Sequence, residues 1–453
     1  MSRHGSSTPG MGRVVATAVT ATAIETFDFF IYTTASALVF GTLFFPSFSP
    51  VAGTLAAFAT LAVGFVARPI GGVVAGHLGD RIGRKPVLIG AMVVMGGATM
   101  LIGLLPTYAQ IGVWAPVVLI VLRLAQGFGL GAQWGGAALL LTEHAPPHRR
   151  GFFGSFTQVG GILGAAAGNL AFFIVLSTMS TESFESWGWR LPFLTGVLLI
   201  VVCFYLNRRI EETPVFRELS DGRNDAPAPR SSPLSEVLRT HKRTVLLAAG
   251  AYLVVNAAYY VMAAGILTYG TTTLGFTSSE ILLIALCAGG TQLITIPLAG
   301  LLSDRVGRRP VYLTGAALMG AWAIPMFLLI DTANAWLVFL ALLVGFTLHS
   351  LMYGPQAALY AELFPAEVRY SGASLGYQLA TIFAGGLAPF IMTSLLAATG
   401  ASWTVGLYLL GLAVLTFASV YAMSETSRRS LFAGDDRART TSGDGVAATE
   451  EAR

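Results

Sequence analysis

Five ionisable side chains, Glu25, Asp28, Arg68, Arg123 and His349, stand inside long apolar stretches of the sequence. Two carboxyls, two guanidiniums and an imidazole can carry protons or hold anions. A charge at the middle of a bilayer costs about 2.5–3.5 kcal/mol on insertion scales, so each of these groups calls for a cavity or a partner. The formal charges of the first four cancel. Helical spacing puts Glu25, Asp28 and Tyr32 on one face. A second string, Arg123-Leu-Ala-Gln126-Gly127-Phe-Gly129-Leu-Gly131-Ala-Gln133-Trp134-Gly135-Gly136, puts Arg123, Gln126, Gly127 and Trp134 on one face, and its glycines allow close backbone approach. The chemistry read from this set is proton transfer. Protonating Asp28 would weaken a pair with Arg123 and deprotonation would restore it, which makes a switch. The alternative is a permanent ion pair that only fixes helix packing. Glu25 is either a second proton site or a carboxyl kept neutral by burial. His349 titrates in the right range for coupling, against the plainer reading of a histidine satisfied on its own helix. Arg68 either attracts an anionic substrate or snorkels and organises a gate; its place near one end of its stretch assigns it to the gate.

The elements that carry these residues are membrane helices. Of 453 residues, 54% are hydrophobic and 11% charged, against about 25% charged in globular proteins. Apolar runs long enough to cross about 30 Å of hydrocarbon recur along the whole chain. Twelve spans are expected, near 15–44, 53–77, 87–105, 112–142, 152–178, 190–207, 244–273, 279–302, 311–330, 335–361, 371–398 and 402–423. The expected fold is all-α: two pseudo-symmetric six-helix bundles, at 15–207 and 243–423. They are joined by a polar linker over 208–242 and flanked by a short N-terminus (1–14) and a disordered tail (424–453). Nothing near Met1 has the form of a cleaved signal peptide. Cys203 and Cys287 lie in apolar runs and suit buried packing better than a disulfide.

The two halves repeat. Gly76-His-Leu-Gly-Asp80-Arg81-Ile-Gly83-Arg84-Lys85-Pro86 returns as Gly300-Leu-Leu-Ser-Asp304-Arg305-Val-Gly307-Arg308-Arg309-Pro310. Each copy sits between two spans as a tight basic turn. Glu143 precedes Arg150 by the same interval that separates Glu362 from Arg369. A duplicated bundle is how secondary transporters are built. Opposite charges at the helix ends can bridge when bundles close, and a carboxylate such as Asp80 can cap a helix N-terminus. The expected gate comprises Arg68, Asp80, Arg81, Arg84, Lys85, Glu143, Arg150, Asp304, Arg305, Arg308, Glu362 and Arg369. Of the 27 Lys and Arg, all but Arg68, Arg123 and Arg190 lie in the termini, the linker or the even-numbered loops. This places both termini in the cytoplasm. It also explains the net charge of +4 without nucleic acid.

These residues resemble the major facilitator superfamily. The Gly-x-x-x-Asp-Arg-x-Gly-Arg-Lys/Arg turn is similar to its signature between the second and third spans, and Arg123-x-x-Gln126-Gly127 to its fourth-span motif, whose arginine is linked to proton transfer. Finer strings resemble the metabolite:H+ symporter family, which includes shikimate, α-ketoglutarate, citrate and proline/betaine carriers. They are Glu25-x-Phe27-Asp28-Phe29-Phe30-x-Tyr32, Ala67-Arg68-Pro69-Ile-Gly71-Gly72, Gln133-Trp134-Gly135-Gly136-Ala137, Trp187-Gly-Trp189-Arg190-Leu-Pro192-Phe193 and Glu362-Leu-Phe-Pro365-x-x-x-Arg369. The resemblance runs from about residue 14 to 425. Family members often carry an acid where this chain has Gln133, which moves the burden of coupling onto Asp28 and Glu25. The fifth span lacks the Gly-Pro element of drug antiporters, which argues for uptake.

The reading that follows is a proton-coupled symporter in the cell membrane, monomeric, that imports a small polar metabolite such as a shikimate-like organic acid. Betaine or proline uptake and an exporter on the same fold are the alternatives. Proton coupling falls to Asp28, Glu25 and Arg123. Substrate contacts are expected from Arg123, Gln126, Asn256, Tyr259, Tyr260, Gln292, Tyr353, Gln356, Tyr377 and Gln378, hydrogen-bonding side chains within spans that suit a midplane cavity. No metal or cofactor site and no enzyme motif is read. The implied partners are the substrate, a proton and the lipid bilayer.

Overall fold

The computed structural model describes residues 11–82, 84–131, 134–197, 237, 239–365 and 368–427. Most of the expected linker and nearly all of the tail lie outside them. The helices that traverse the molecule are α1 (Met11–Phe44), α2 (Pro50–Ile82), α3 (Arg84–Leu104), α4 (Trp114–Leu130, taken up again by Trp134–His144) and α5 (Pro147–Thr178). Of α6 only the start, Leu191–Leu194, is described; the others are α7 (Lys242–Thr272), α8 (Ser278–Val306), α9 (Arg308–Ile330), α10 (Ala335–Leu363), α11 (Arg369–Thr399) and α12 (Trp403–Tyr421). Among the described residues, nine of these are long and apolar enough to cross a membrane. The chain is an all-α, twelve-helix membrane protein.

The second of the repeated turns is tighter than the apolar pattern suggests. α8 runs through Asp304 and Arg305 to Val306, and α9 begins at Arg308, so Gly307 alone makes the turn. Its φ of 110° is open to glycine and strained for other residues. The carboxylate of Glu425, from the segment after α12, accepts the first backbone N–H groups of α9 at Arg308 (2.9 Å) and Arg309 (3.0 Å). It therefore supplies the cap that Gly307 cannot. At the opposite end, α8 opens on a capping box between Thr277 and Glu280, and Asn334 caps α10.

Small residues set the helix spacing. A Cβ added to Gly127 of α4 would fall on the carbonyl of Gly64 in α2, and one on Gly131 on the carbonyl of Arg68. Gly160, Gly164 and Gly168 of α5 similarly lie against α1. α1 and α7 each widen into a π-helical stretch at matching places in the two halves, Ser36–Phe40 and Val261–Gly265. The halves meet where α5 packs on α8 and α10, and where α2 packs on α11. Trp114, Trp187, Trp336 and Trp403 are exposed and all lie on odd-numbered connections or the helix starts beside them. They form an interfacial aromatic belt at the end opposite the repeated basic turns.

Burial pushes the Glu425 carboxyl up, but backbone donors at Ser427, Arg308 and Arg309 outweigh that and hold it below its ordinary 4.5. A lowered folded-state pKa contributes stability that is full above the unfolded value and is lost as pH falls through the folded one. Glu425→Gln should therefore lower the melting temperature of the detergent-purified protein at pH 7, by the equivalent of about 1 kcal/mol. The gap to wild type should close as pH drops below the ordinary carboxyl range; a gap that does not change with pH would refute the charged cap.

Candidate functional site

Where the two halves face each other, a cavity of about 60 Å³, room for about four waters, opens among α1, α2, α5, α7, α10 and α11. The first half contributes Glu25 and Thr26 from α1, Arg68 from α2 and Gln158 from α5. The second half contributes mostly tyrosines: Tyr252, Tyr259 and Tyr260 from α7, Tyr353 from α10 and Tyr377 from α11, with Asn256 and His349 between them. Tyr252 and Tyr377 stack at 4.6 Å and share a hydroxyl hydrogen bond of 3.2 Å.

Arg68 is the guanidinium that opens on the cavity. Its side chain is buried, and among the described residues no ion pair or hydrogen bond to it is found, while Nε is enclosed without a partner. The guanidinium lies 4.4 Å from the Phe65 ring centre and 4.7 Å from that of Phe29. Ring faces offset only part of the desolvation of a guanidinium. An anion in the cavity would supply the rest.

A second charged layer lies behind Phe29 and is sealed from the cavity. Asp28 is fully buried; one carboxylate oxygen receives the Thr99 hydroxyl and the other the Gln126 amide at 3.3 Å. Gln126 also donates to Thr99 (2.7 Å) and accepts from Arg123 (3.0 Å). Arg123 therefore reaches Asp28 through Gln126 and makes no direct ion pair with it. Its guanidinium stacks over Tyr32 (4.0 Å) and Phe29 (4.6 Å), and Tyr32 bonds Thr60.

The two halves are tied together at both ends of the cavity. At the basic end Asp304 of α8 accepts the backbone N–H groups of Gly151 and Phe152, each at 2.8 Å, and so caps α5 of the other half. Arg308 bonds Asp304 at 2.7 Å and Glu362 at 3.2 Å, all three nearly fully buried. Arg369 of the second half bonds Glu143 of the first at 3.3 Å, and Arg150 stands in the field of Glu362. Above the cavity, toward the other end, Tyr260 is set among Phe29, Phe30 and Phe65 with ring centres 5.7–5.9 Å apart, and Thr268 bonds the Ala37 carbonyl.

A family model described as Major Facilitator Superfamily matches residues 14–367 and 251–442. The chain belongs to the major facilitator superfamily. It is 40% identical to the inner membrane metabolite transport protein YhjE of Escherichia coli over 424 residues, 92% of this chain and 95% of that one. It is 38% identical to the shikimate transporter of the same organism, covering 89% and 92%. The proline/betaine transporter of Salmonella typhimurium is 33% identical over 90% and 82%. Among solved structures, a D-xylose-proton symporter superposes with a TM-score of 0.72 at 18% identity, over 92% of this chain and 98% of that one; this likeness speaks to the fold. The protein is thus a transporter rather than an enzyme.

Of the residues expected at the substrate site, Asn256, Tyr259, Tyr260, Tyr353 and Tyr377 line the cavity. Arg123 and Gln126 belong to the sealed layer. Gln356 receives a hydrogen bond from Gln158 across the halves (3.3 Å), Gln378 is buried off the cavity, and Gln292 bonds His349 and the Phe346 carbonyl. Arg68, assigned from sequence to the gate, stands in the cavity. Asp304, Arg308, Glu143, Arg150, Glu362 and Arg369 gather at the basic end, where Arg305 is exposed. The side chains of Asp80, Arg81, Arg84, Lys85 and Gln133 lie outside the described part. Thr99, Tyr252 and Gln158 enter unannounced. Gln158 could have been flagged as a polar residue in an apolar span, whereas Thr99 carries no such signal.

Removing one partner of a buried pair leaves the other charge uncompensated, at about 3–5 kcal/mol. Asp304→Ala should therefore open the basic end. In a background with Cys203 and Cys287 replaced by serine, Ala357→Cys, buried against Gly154 of the other half, should label with a maleimide several-fold faster when Asp304→Ala is added. Equal labelling rates would show that this cluster does not hold the halves together.

Proposed function

We propose that the protein is a proton-coupled symporter that imports a small organic acid, a shikimate-like carboxylate, across the plasma membrane. It works as a monomer by alternating access of its two six-helix bundles, residues 15–207 and 243–423, with both termini in the cytoplasm. The observation that carries this reading is the buried, unpartnered guanidinium of Arg68 in the cavity between the bundles. A substrate carboxylate is a bidentate partner for such a group, and the tyrosines, Asn256 and Gln158 offer hydrogen bonds to hydroxyl substituents. The relative named for shikimate supports the substrate class.

The coupling proton belongs with the α1 carboxyls, Glu25 in the cavity and Asp28 in the layer shared with Arg123. The basic end is then the cytoplasmic gate. Asp304 holds α5 of the opposite bundle through the backbone N–H groups of Gly151 and Phe152. Rocking requires these caps to part while the aromatic seal around Tyr260 forms the other barrier.

A second reading rests on Glu25 and the ring faces that accompany Arg68. A zwitterion could set its carboxylate on Arg68 and its cation against Glu25 and the tyrosines. Energetics separates the two. One proton with one monoanion moves no net charge, so a pH gradient drives accumulation at about 1.4 kcal/mol per pH unit. Membrane potential, worth about 2.3 kcal/mol per charge per 100 mV, contributes nothing. A zwitterion with one proton carries one charge and responds to potential.

In proteoliposomes, a pH gradient should accumulate the substrate and a potassium-diffusion potential at equal pH should not. Strong potential-driven uptake would favour the zwitterion or a second proton. Arg68→Gln should lower affinity by about 1.5–3 kcal/mol, roughly ten- to a hundredfold; wild-type affinity in that variant would remove the carboxylate assignment.

A further inference from the structure

We infer that Glu25 is the proton acceptor tied directly to substrate binding, because it and the substrate carboxylate share the single guanidinium of Arg68. The inference rests on the reading of Arg68 as the carboxylate site and adds to it which carboxyl carries the proton, and why.

Glu25 and Arg68 open on the same cavity and sense each other's charge. Among the described residues Glu25 has no hydrogen-bond donor of its own. With no substrate bound, its carboxylate offsets the Arg68 charge from across the cavity without an ion pair between them. A monoanionic substrate that engages Arg68 places a second negative charge beside one cation. The conflict is relieved when Glu25 takes a proton from water in whichever vestibule is open, leaving a neutral acid and an Arg68–substrate pair. Departure of the substrate returns Arg68 to Glu25, and the proton leaves to water on that side. One proton and one monoanion thus enter and leave together. A substrate bearing its own cation would keep Glu25 ionised, and a proton carried with it would then have to sit elsewhere, on Asp28.

The other titratable groups around Glu25 fit this role less well. On its own helix, Asp28 faces away from the cavity and already has donors on both oxygens, Thr99 and Gln126. From α10, His349 is held in one neutral form: its Nε2–H donates to the Val255 carbonyl (3.1 Å) and its Nδ1 accepts from Gln292 (2.8 Å). A proton on Nδ1 would face that donor. The remaining groups are phenols: Tyr353 beside His349, Tyr252, Tyr259 and Tyr260 on α7, and Tyr377 on α11. They stay protonated at physiological pH. α5 contributes the neutral Gln158, and α2 contributes Arg68 itself.

The test uses the purified full chain in weakly buffered detergent, with shikimate, benzoate and glycine betaine as probes. A carboxylate probe should raise the melting temperature of wild type but not of Arg68→Gln. Its binding should take up about one proton per molecule bound, read with a pH dye, and its Kd should rise about tenfold per pH unit on the alkaline limb. Glu25→Gln should bind it with no proton uptake and no pH dependence, while Asp28→Asn keeps both. Should Glu25→Gln fail to purify as a monodisperse species, Glu25→Asp should retain uptake and shift the limb. Proton uptake that persists in Glu25→Gln, or its absence in a wild type that binds carboxylate through Arg68, overturns this inference and leaves the carboxylate site standing. If neither carboxylate stabilises wild type, or Arg68→Gln binds as well, the carboxylate reading itself fails and this inference with it. Glycine betaine bound without proton uptake would transfer the site to zwitterions.

Discussion

A guanidinium buried at hydrocarbon depth must be balanced from within the protein, because no water or counterion can reach it from the lipid. Two such groups, Arg68 and Arg123, stand in the first half, and much of the surrounding architecture answers them. Arg123 is met by Gln126, by the ring faces of Tyr32 and Phe29, and at one remove by Asp28. All of these lie on α1 and α4, within one bundle, although Nε and Nη2 of Arg123 have no hydrogen-bond partner among the described residues. Arg68 is met only by ring faces and by a carboxyl across a cavity. The first arrangement lies inside one bundle, whereas the second opens on the cavity between the two.

The same contrast separates the two ends of the molecule. At the basic end the halves are joined by ionic groups at helix termini, with Asp304 on the N–H groups of α5 and Arg369 on Glu143. Such contacts are directional and are replaced readily by water when they part. At the other end they are joined by rings, with Tyr260 among Phe29, Phe30 and Phe65. Rings can slide past one another without leaving an unpaired polar group. The glycines of α2, α4 and α5 bring backbones close enough within the first half that it can move as a unit. The segment after α12 takes part as well: Glu425 caps α9, and Thr426 bonds Glu362, the partner of Arg308.

Twelve spans, a twofold internal repeat and a basic face were legible from the chain itself, since they follow from apolar length, from a duplicated turn and from where Lys and Arg are allowed. So was the identity of the unusual residues, because any charge in an apolar span is conspicuous. The sequence also marks the partners at the basic end, Glu143, Arg150, Glu362 and Arg369, by their matched spacing.

What the sequence could not decide is which of these groups meet. The i to i+7 spacing associates Glu143 with Arg150 and Glu362 with Arg369, yet the folded chain joins Glu143 to Arg369 and Glu362 to Arg308. Those partners lie on different helices whose relative height and rotation are set by packing. Spacing points to a pair of Asp28 with Arg123, yet the folded chain sets the Gln126 amide between them. Arg68 falls toward one end of its apolar run, but the helix continues to Ile82 and leaves Arg68 near its middle, where it opens on the cavity. Composition and spacing along one chain determine which charges enter the membrane. Only the crossing of helices, fixed by side-chain volumes on both partners, decides which charge is left facing the cavity.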